Sequence, residues 1–595
     1  MENGARHPPG TALARLFADE SRLGEAVSFS LPGGAPLFLA GEAADQLYWV
    51  RSGRLAAYEP HAGGQRFLGL IRPGEPTGEI SLVAGTNHRA SVIALRDSEI
   101  LALPRDELLA ATQTDPHLMA ELARLVARRM RENPDESLAG YPSVFGFIGI
   151  TDGVDARRLA ERVADLIRHM GYRAVAVGIE AQSLPTEWFS NVENAHDFVF
   201  YATEVDEKAW RGFVVRQADH LFRVALAKYP PPAPPRAPEG MAANAQKPAD
   251  LVLVHPRDCH TPTGGPGWFA AFHPDRIFHL RRAHVHDADR LARIVTGSAV
   301  GLVLSGGAAR AYAHVGAIKV LRERRIPIDF VAGASMGAII AAGVAMNWDE
   351  AELDRRLRKA FVTSSPVADI AFPLVSLSRG SLMRARLAEH FGDRDICDLW
   401  TPFFCVSSNL TTGGYKLHRQ GLLREALAAS AALPGVLPPV VQGDDVLVDG
   451  AIMNNFPADL LHAMNPGPIV GVDVTRGRSI DAHDVAPASL WRWLRSGDWR
   501  KGPPIVSLLM RAATMGTAQG IAVSRSASDV LILPMVDHIE IRDWRAYDEA
   551  VAAGEQATRE TLDKLDRRVV DLRRRPLRAT GAIAGAAAEQ TERAW

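Results

Sequence analysis

Residues 299–346 decide how this 595-residue chain is organised, and they read AVGLVLSGGAARAYAHVGAIKVLRERRIPIDFVAGASMGAIIAAGVAM. The run Val300 to Leu304 is short, apolar and β-favouring, and Ser305-Gly306-Gly307 interrupts it before an alanine-rich segment with apolar residues at helical spacing. This order predicts a strand, a tight loop and a helix. Free backbone N–H groups at such a helix N-terminus attract a negative oxygen. The loop is therefore a candidate anion site.

A second strand, turn and helix follow in the same stretch. Ile328 to Val331 is the predicted strand, Gly333-Ala334-Ser335-Met336-Gly337 the turn, and Ala338 to Met346 an apolar helix. The turn has the frame G-x-S-x-G, whose glycines permit the sharp bend that lifts a serine hydroxyl above a sheet. Alone, a serine between glycines is more often an ordinary turn or helix cap. Two such units side by side, however, would place the anion site beside Ser335.

Asp449 is the third element of the candidate site. It follows the strand-like run Val446-Leu447-Val448 and precedes Gly450. A carboxylate at the end of a buried strand can accept the Ser335 proton directly, whereas the alternative is an ordinary Asp-Gly turn. The occurrence of all three elements in the expected order favours a nucleophile with its base.

Residues 301–449 resemble the patatin-like phospholipases, a family with a Ser-Asp dyad and a glycine-rich oxyanion loop. The resemblance implies that Ser335 is the nucleophile and Asp449 the base, without a catalytic histidine. It also implies the residues of the oxyanion loop, which are the amides of Gly306, Gly307 and Ala308, with Arg310 helping to hold the loop.

The oxyanion loop departs from the family pattern, because Ser305, Ala308 and Ala311 stand where glycines are usual. Alanine keeps its N–H but resists positive φ. Loss of one oxyanion donor costs about 2.7–4 kcal/mol of transition-state stabilisation. Whether this loop forms a competent oxyanion hole is therefore the question that the sequence raises and leaves open.

Length and composition limit the class of protein. Single cores rarely grow beyond roughly 250–300 residues, so several domains are expected. The net charge of −2 and the pI near 6.8 carry no global signature of nucleic-acid binding. Cys259, Cys397 and Cys405 are odd in number and lack C-x-x-C spacing, which argues against a disulfide framework or structural zinc and fits a reducing cytosol.

We also expect a cytoplasmic protein, because the N-terminus has no apolar core of a signal peptide and no run reaches the ~18–20 apolar residues of a membrane span. Any membrane contact would be peripheral, at the inner membrane. Trp491, Trp493 and Trp499 stand among arginines, a mixture that can mark contact at headgroup level. Tryptophans on an ordinary surface helix are the alternative.

Residues 10–135 predict an antiparallel β-roll followed by a helix. Gly78-Glu79 and Arg89-Ala90-Ser91 resemble the phosphate-binding cassette of cyclic nucleotide-binding domains. The resemblance implies that Arg89 holds the cyclic phosphate and that Glu79 accepts a hydrogen bond from the ribose. Ala90 lacks the hydroxyl that would favour guanine, so cAMP is expected over cGMP. An exposed Glu–Arg pair on a roll that has lost its ligand is the alternative.

Residues 140–285 predict an α/β domain with a Pro-rich insert at 229–248. No G-x-x-x-x-G-K-[ST] follows its first strand, so nucleotide hydrolysis is not expected there. Arg216-Gln217-Ala218-Asp219 resembles a segment between the cyclic-nucleotide and patatin parts of neuropathy target esterase relatives. Histidines at 279, 284 and 286 lack a matching carboxylate or cysteine cluster, so no metal is expected.

The remaining boundaries are a patatin-like α/β domain at 295–545, a C-terminal helix at 546–578 and a disordered tail at 579–595. The combined prediction is a serine esterase that hydrolyses phospholipid or lysophospholipid acyl esters without a catalytic cofactor, with cAMP as a regulatory ligand. The alternative is a ligand-sensing scaffold whose patatin domain is weak or inactive. A transcriptional regulator is disfavoured, because no helix-turn-helix with a basic recognition face follows the roll.

Overall fold

The structure is a computed structural model that describes residues 12–18, 26–61, 64–131, 143–233, 247–282, 284, 286–363, 368–371, 376–475, 518–541 and 543–575. These residues form two compact units. The first holds the described residues up to Ala225 and those from 247 to 250, and the second holds 226–233 and the described residues from Leu251 onwards. The tryptophan–arginine segment 491–500, most of the Pro-rich insert and the tail 579–595 lie outside the described residues.

The N-terminal part of the first unit is a β-roll. Its strands are β1 (Val27–Leu31), β2 (Pro36–Phe38), β3 (Gln46–Ser52), β4 (Leu55–His61), β5 (Gly64–Ile71), β6 (Pro76–Thr77), β7 (Ser91–Ala94) and β8 (Ser98–Pro104), and its helices are α1 (Ala12–Ala18), α2 (Glu79–Ala84), α3 (Arg105–Thr114) and α4 (Pro116–Arg131). One sheet has the order β1-β8-β3-β6, the other β2-β7-β4-β5, and neighbours pair antiparallel. Leu13 of α1 and Leu122 of α4 are fully buried against Leu47 and Leu101 of the first sheet. The predicted roll and its following helix are thus confirmed.

The first unit continues with a parallel sheet. Its elements are β9 (Val144–Gly149), α5 (Ala156–His169), β10 (Ala174–Val177), a 3₁₀ turn (Ile179–Ala181), α6 (Thr186–Ala195), β11 (Phe198–Thr203), α7 (Lys208–Gln217) and β12 (His220–Leu226). The strand order is β10-β11-β9-β12, and all neighbours are parallel. Every residue of β9 and β11 is buried, as expected for parallel strands that are covered on both faces. Helix α5 buries one face, at Ala156, Ala160, Val163, Ala164 and Ile167.

The second unit includes a parallel strand pair and two helices, and the first of these strands begins two residues before the boundary at Leu251. These elements are β13 (Ala249–His255), α8 (Gly265–Phe272), β14 (Ile277–Arg281) and α9 (Asp287–Thr296). Strands β13 and β14 run parallel with Leu251 opposite Ile277. The predicted middle domain, 140–285, includes these two strands, and its bounds remain a prediction.

The main sheet of the second unit positions the candidate active site. Its strands are β15 (Gly301–Leu304), β16 (Phe330–Ala334), β17 (Phe403–Asn409), β18 (Gly414–His418), β19 (Val440–Gln442), β20 (Asp445–Asp449), β21 (Ile469–Val472) and β22 (Val530–Ile532). The order is β19-β20-β17-β16-β15-β21-β22, and β18 pairs with β17. Strands β17, β16, β15, β21 and β22 are parallel, whereas β18, β19 and β20 join antiparallel. The carboxyl ends of β15 and β16 consequently lie side by side, with Leu304 opposite Gly333.

The helices of this unit are α10 (Ala313–Glu323), α11 (Ser335–Ala345), α12 (Glu350–Leu357), α13 (Ser381–Phe391), α14 (Leu423–Ser430), α15 (Ala458–Met464), α16 (Ala518–Ser526) and α17 (Tyr547–Asp563). Helix α11 is buried at every position from Met336 to Ala345, because a helix that is apolar all round belongs inside a core. A π-helical turn, Arg358–Val362, extends α12. A 3₁₀ turn, Ala308–Tyr312, precedes α10.

The C-terminal helix is shorter than the sequence indicates, because α17 ends at Asp563 and not near residue 578. The chain then forms a short 3₁₀ turn, Val569–Asp571. There Val569 is 3% exposed within the hydrophobic core, and Val570 and Leu572 pack against that core. Burial of these side chains requires the backbone to leave the helix axis.

The structure also describes the three cysteines and the helices that could be tested as membrane spans. Cys259, Cys397 and Cys405 are all free thiols. Within the described part of the chain, we find no helix with both the length and the apolar character needed to cross a bilayer.

Candidate active site

Ser335 stands at the junction between β16 and α11, where the chain turns sharply. Its φ is +52°, a left-handed conformation that non-glycine residues rarely adopt. A Cβ at Gly337 would lie 2.4 Å from the carbonyl oxygens of Leu304 and Ser305, so only glycine allows β15 to approach this closely. The G-x-S-x-G frame therefore forms the strained strand-to-helix turn typical of nucleophile elbows.

Asp449 lies beside this serine at the end of β20. Ser335 Oγ donates a hydrogen bond of 2.6 Å to Asp449 Oδ2, and the Ala451 N–H donates to Oδ1 at 2.8 Å. The position follows from the sheet, because β20 pairs antiparallel with β17 and places Asp449 opposite Ser407. The Asp-Gly turn that was the alternative interpretation is present as well, and the carboxylate faces the serine hydroxyl.

Burial makes the Asp449 carboxylate a stronger base. Asp449 is only 1% exposed, and desolvation raises its pKa to about 6 against the opposing effect of the two hydrogen bonds. A carboxylate with this pKa is ionised at neutral pH and is a stronger proton acceptor than an exposed aspartate.

The backbone amides of the loop after β15 differ in whether they already donate a hydrogen bond. The Gly306 N–H is already engaged, because it donates to the main-chain oxygen of Asn455 at 3.2 Å and to Asn455 Oδ1 at 3.1 Å. Asn455 Nδ2 returns a bond of 3.3 Å to the Gly306 carbonyl. Among the described residues, the amides of Gly307 and Ala308 have no hydrogen-bond partner. These two are the amides free to bind a negative oxygen.

The two alanines of this loop have different backbone conformations. Ala308 has φ +48°, whereas Ala311 lies within the 3₁₀ turn and is not among the residues with positive φ. Left-handed geometry at a non-glycine residue costs of order 1–3 kcal/mol and persists where surrounding structure over-determines it. Position 308 therefore carries backbone strain that a glycine would avoid. Position 311 does not.

Several contacts hold the loop in place. Arg310 Nε donates to the Ile539 carbonyl at 2.7 Å and a terminal guanidinium nitrogen donates to the Asp537 carbonyl, so this side chain supports the loop from behind. His314 Nε2 donates to the Ser305 carbonyl at 2.8 Å. Burial lowers the pKa of His314 to about 4, so its ring is neutral. The histidine therefore packs and supports the loop.

Sequence reasoning missed two residues that hold the site, Ser430 and Asn455. Ser430 Oγ accepts the Ser335 N–H at 3.0 Å, and Asn455 bonds Gly306 in both directions. Both are buried. The local signals were a serine just before an Ala-Ala-Leu-Pro break and an asparagine six residues after Asp449. Neither signal identifies the residue that the side chain contacts in the fold.

The expected nucleotide cassette lies on the β-roll at Gly78 and helix α2. Gly78 has φ +86° before the helix, and Glu79 is 1% exposed with a 2.6 Å ion pair to Arg129 of α4. Arg89 is 75% exposed and pairs with Glu59 at 3.1 Å. Both expected ligand residues therefore have an ion-pair partner in the structure, whereas Glu79 Oε2 has no hydrogen-bond partner among the described residues.

The neighbouring cassette residues have different surroundings. Ser91 is buried, and its Oγ accepts the Ala40 N–H at 3.0 Å, whereas Ala90 is half-buried. Ser91 thus supports the roll through the backbone of the preceding loop.

The segment Arg216–Asp219 lies in a buried ion cluster within the first unit. Asp219 accepts hydrogen bonds from the backbone N–H groups of Ser143 and Val144, at 2.9 and 3.1 Å, and pairs with Arg54 at 3.2 Å and with Arg96. These cations hold the pKa of Asp219 far below its usual range despite burial.

The other terminal nitrogen of the Arg96 guanidinium forms an ion pair with Glu193 of α6. Gln217 Nε2 donates to the same glutamate at 2.8 Å, and Arg216 Nε donates to Asp97 at 2.8 Å. The four-residue segment therefore connects the β-roll to the parallel sheet of this unit.

The histidines considered for a metal site are used in hydrogen bonds. His279 Nε2 donates to the Cys397 carbonyl at 2.7 Å, which leaves Nδ1 to accept from His255 Nε2 at 2.8 Å. His284 and His286 each lie near an aspartate on α9. Among the described residues, no group of three or more His, Cys, Asp or Glu side chains is arranged to hold a metal ion.

Comparison with known protein families matches two separate stretches of the chain. Residues 302–462 match the family described as patatin-like phospholipase, and residues 28–115 match the cyclic nucleotide-binding domain. Both candidate sites lie within these matched stretches. The chain thus carries a cyclic nucleotide-binding domain followed by a patatin-like phospholipase domain.

Similarity also extends over most of the chain. An uncharacterized NTE family protein of Mycobacterium tuberculosis is 29% identical over 551 residues, covering 89% of this chain and 91% of that protein. The human patatin-like phospholipase domain-containing protein 6 is 26% identical and covers 92% of this chain, and neuropathy target esterase of Drosophila melanogaster is 25% identical and covers 87%. This chain spans 45% of the human protein and 41% of the Drosophila protein.

Proposed function

We propose that this chain, whose patatin-like phospholipase domain follows a cyclic nucleotide-binding domain, is a serine esterase that hydrolyses acyl esters of phospholipids or lysophospholipids. The observation that carries the proposal is the 2.6 Å hydrogen bond from Ser335 Oγ to the buried carboxylate of Asp449. Relatives whose names include phospholipase and esterase support a lipid ester as the substrate class.

The acylation step uses both members of the dyad. Ser335 Oγ attacks the carbonyl carbon of the acyl ester while Asp449 Oδ2 accepts the hydroxyl proton. The negative oxygen of the tetrahedral intermediate is bound by the free amides of Gly307 and Ala308, and Gly306 serves to anchor the loop through Asn455. Collapse of the intermediate expels the alcohol part of the lipid, which takes the proton from Asp449.

The deacylation step repeats this sequence with water as the nucleophile and Ser335 Oγ as the leaving group. Asp449 accepts a proton from a water molecule that attacks the acyl-serine carbonyl, and the same amides stabilise the second tetrahedral intermediate. Release of the fatty acid returns the proton to Ser335 Oγ. The two half-reactions require no group beyond the side chains, the loop amides and water.

The test of this proposal is fatty-acid release from lysophosphatidylcholine by the whole chain, together with labelling of Ser335 by a fluorophosphonate. We expect both, because a serine activated by a buried carboxylate reacts with either electrophile. If neither occurs across a panel of lysolipids, the alternative, a ligand-sensing scaffold with an inactive patatin domain, is favoured.

The pH dependence of hydrolysis is expected to follow Asp449, whose pKa burial raises to about 6. The carboxylate is the proton acceptor, so kcat/KM should be constant above the pKa and fall about tenfold for each pH unit below it. Initial rates on a neutral-headgroup lysolipid measure this limb, and circular dichroism at each pH verifies that the chain stays folded. An unchanged rate down to the ordinary aspartate pKa of about 3.9 would contradict the assignment.

Regulation by a cyclic nucleotide is the second part of the proposal, and cAMP is its expected ligand. The cyclic phosphate competes with Glu59 for the exposed guanidinium of Arg89, whereas Glu79 can keep its ion pair with Arg129 and accept a ribose hydroxyl at Oε2. Calorimetry with up to about 1 mM cAMP should give a heat that Arg89→Ala abolishes, because the guanidinium holds the cyclic phosphate.

Two comparisons make this titration decisive. Arg51→Ala, a change on the same roll outside the cassette, should leave the heat unchanged, and cGMP should bind more weakly than cAMP. Absence of heat with either nucleotide would instead indicate that the roll has a structural role. The lysolipid panel, assayed with and without cAMP, then shows whether binding alters hydrolysis.

A further inference from the structure

One short segment contacts both members of the dyad. Ser430, the last residue of α14, accepts the Ser335 N–H at its Oγ over 3.0 Å. Two residues later, the Ala432 carbonyl accepts the Asp449 N–H over 2.9 Å. The segment 430–432 therefore connects the backbone of the nucleophile to the backbone of the base.

The hydroxyl of Ser430 is held in one orientation. The side chain is fully buried, and its Oγ donates to the Val406 carbonyl at 2.7 Å. A carbonyl can only accept and a backbone N–H can only donate, so the hydroxyl proton points to Val406 and an oxygen lone pair points to Ser335. Val406 lies opposite Ala334 in the sheet, so the bond ties the turn to its neighbouring strand.

The Ser335 turn needs such support from outside. Its N–H is among the first of α11, which have no acceptor within their own helix. Its φ of +52° is a strained conformation that persists only where the surroundings over-determine it. Without the Ser430 hydroxyl, this N–H loses its acceptor, and the turn can relax away from Asp449.

We propose that Ser430 is a positioning residue of the active site, whose hydroxyl fixes the Ser335 turn so that Oγ stays within hydrogen-bond distance of Asp449. It acts through the backbone of Ser335 and takes no part in proton transfer. The inference rests on the proposed function of the dyad.

Ser430→Ala tests this role in the whole chain. We expect kcat for lysophosphatidylcholine and the rate constant of fluorophosphonate labelling to fall about 10- to 100-fold, because misplacement of about 1 Å at a reacting atom can cost that much. KM and the final labelling stoichiometry should stay at wild-type values, since the folded fraction and the lipid contacts are unchanged. A general loss of folding would instead lower the stoichiometry.

Ser298→Ala is the matched control. Ser298 is also a buried serine of this unit, but its hydroxyl bonds that of Thr296 at 2.7 Å and lies on the connection before β15. Its loss should leave the labelling rate constant at the wild-type value. Hydrogen exchange supplies a readout independent of activity, because the amides of the peptide containing Ser335 should exchange faster in Ser430→Ala and not in Ser298→Ala.

Three results would overturn the inference. These are a Ser430→Ala labelling rate equal to that of the wild type, a lower stoichiometry that accounts for the whole loss of rate, and unchanged exchange at the Ser335 peptide. Failure of the proposed function is distinguishable, because it appears as an unreactive wild-type chain. In that case the exchange measurement still decides whether Ser430 holds the turn.

Discussion

Ser335→Ala is expected to abolish fatty-acid release, lowering kcat by a factor on the order of 10⁴ or more, as the loss of a serine nucleophile does in other hydrolases. Alanine leaves Asp449 without the hydroxyl that it would deprotonate, and water held by the same loop is a poor substitute. The same change should remove fluorophosphonate labelling completely. Fatty acid released from lysophosphatidylcholine, quantified over a time course, measures the loss.

The backbone strain at position 335 makes a folding control necessary. Alanine at φ +52° carries the same steric penalty as serine, so we expect the thermal midpoint to change little. Ser298→Ala, which removes a buried hydroxyl outside the site, controls for the chemistry of the substitution. Hydrolysis by Ser335→Ala within tenfold of the wild-type rate would show that another group is the nucleophile.

Arg96→Ala is expected to destabilise the first unit by about 3–5 kcal/mol, because it removes one partner of a buried ion cluster. The Arg96 side chain is 2% exposed and pairs with both Glu193 and Asp219. Its loss leaves two largely buried carboxylates without the cation that they share. Urea unfolding of the whole chain, followed by the fluorescence of tryptophans such as Trp210, reports this unit.

The matched control is Arg89→Ala on the same roll. Arg89 also pairs with one glutamate, but its side chain is 75% exposed, and such surface pairs contribute only about 0–1 kcal/mol. A loss of stability in Arg96→Ala no larger than in Arg89→Ala would show that Arg96 does not organise the cluster. It would also show that the charge of Arg96 is not needed to hold the segment Arg216–Asp219 between the roll and the parallel sheet.

The catalytic part of the chain is predictable to the extent that its signals are local. Apolar runs followed by glycines predicted β15, β16 and the turns after them, because strand ends and left-handed turns depend on neighbouring residues. The sequence raised backbone strain at both Ala308 and Ala311 as a question and did not distinguish the two positions. Only the backbone of the folded loop distinguishes position 308, at φ +48°, from position 311.

Elements with weak periodicity were not predicted. Strands β18, β19 and β22 have three to five residues each, too few for an alternating pattern to be distinguished from a loop. The end of α17 at Asp563 was also missed, because the charged pattern continues beyond it, whereas the chain leaves the helix and buries Val569 in the core six residues later.

By itself, then, the sequence predicted the two strand–turn–helix units and the candidate nucleophile Ser335 from residue types at short spacing, whereas Asp449 was predicted from the order of the elements and the family resemblance. Only the tertiary structure decided what supports them. Ser430 lies 95 residues from Ser335, Asn455 lies 149 residues from Gly306, and Asp219 lies 123 residues from Arg96. The physical reason is that hydrogen bonds and ion pairs across such separations are set by how the sheets and helices pack, which no local pattern encodes.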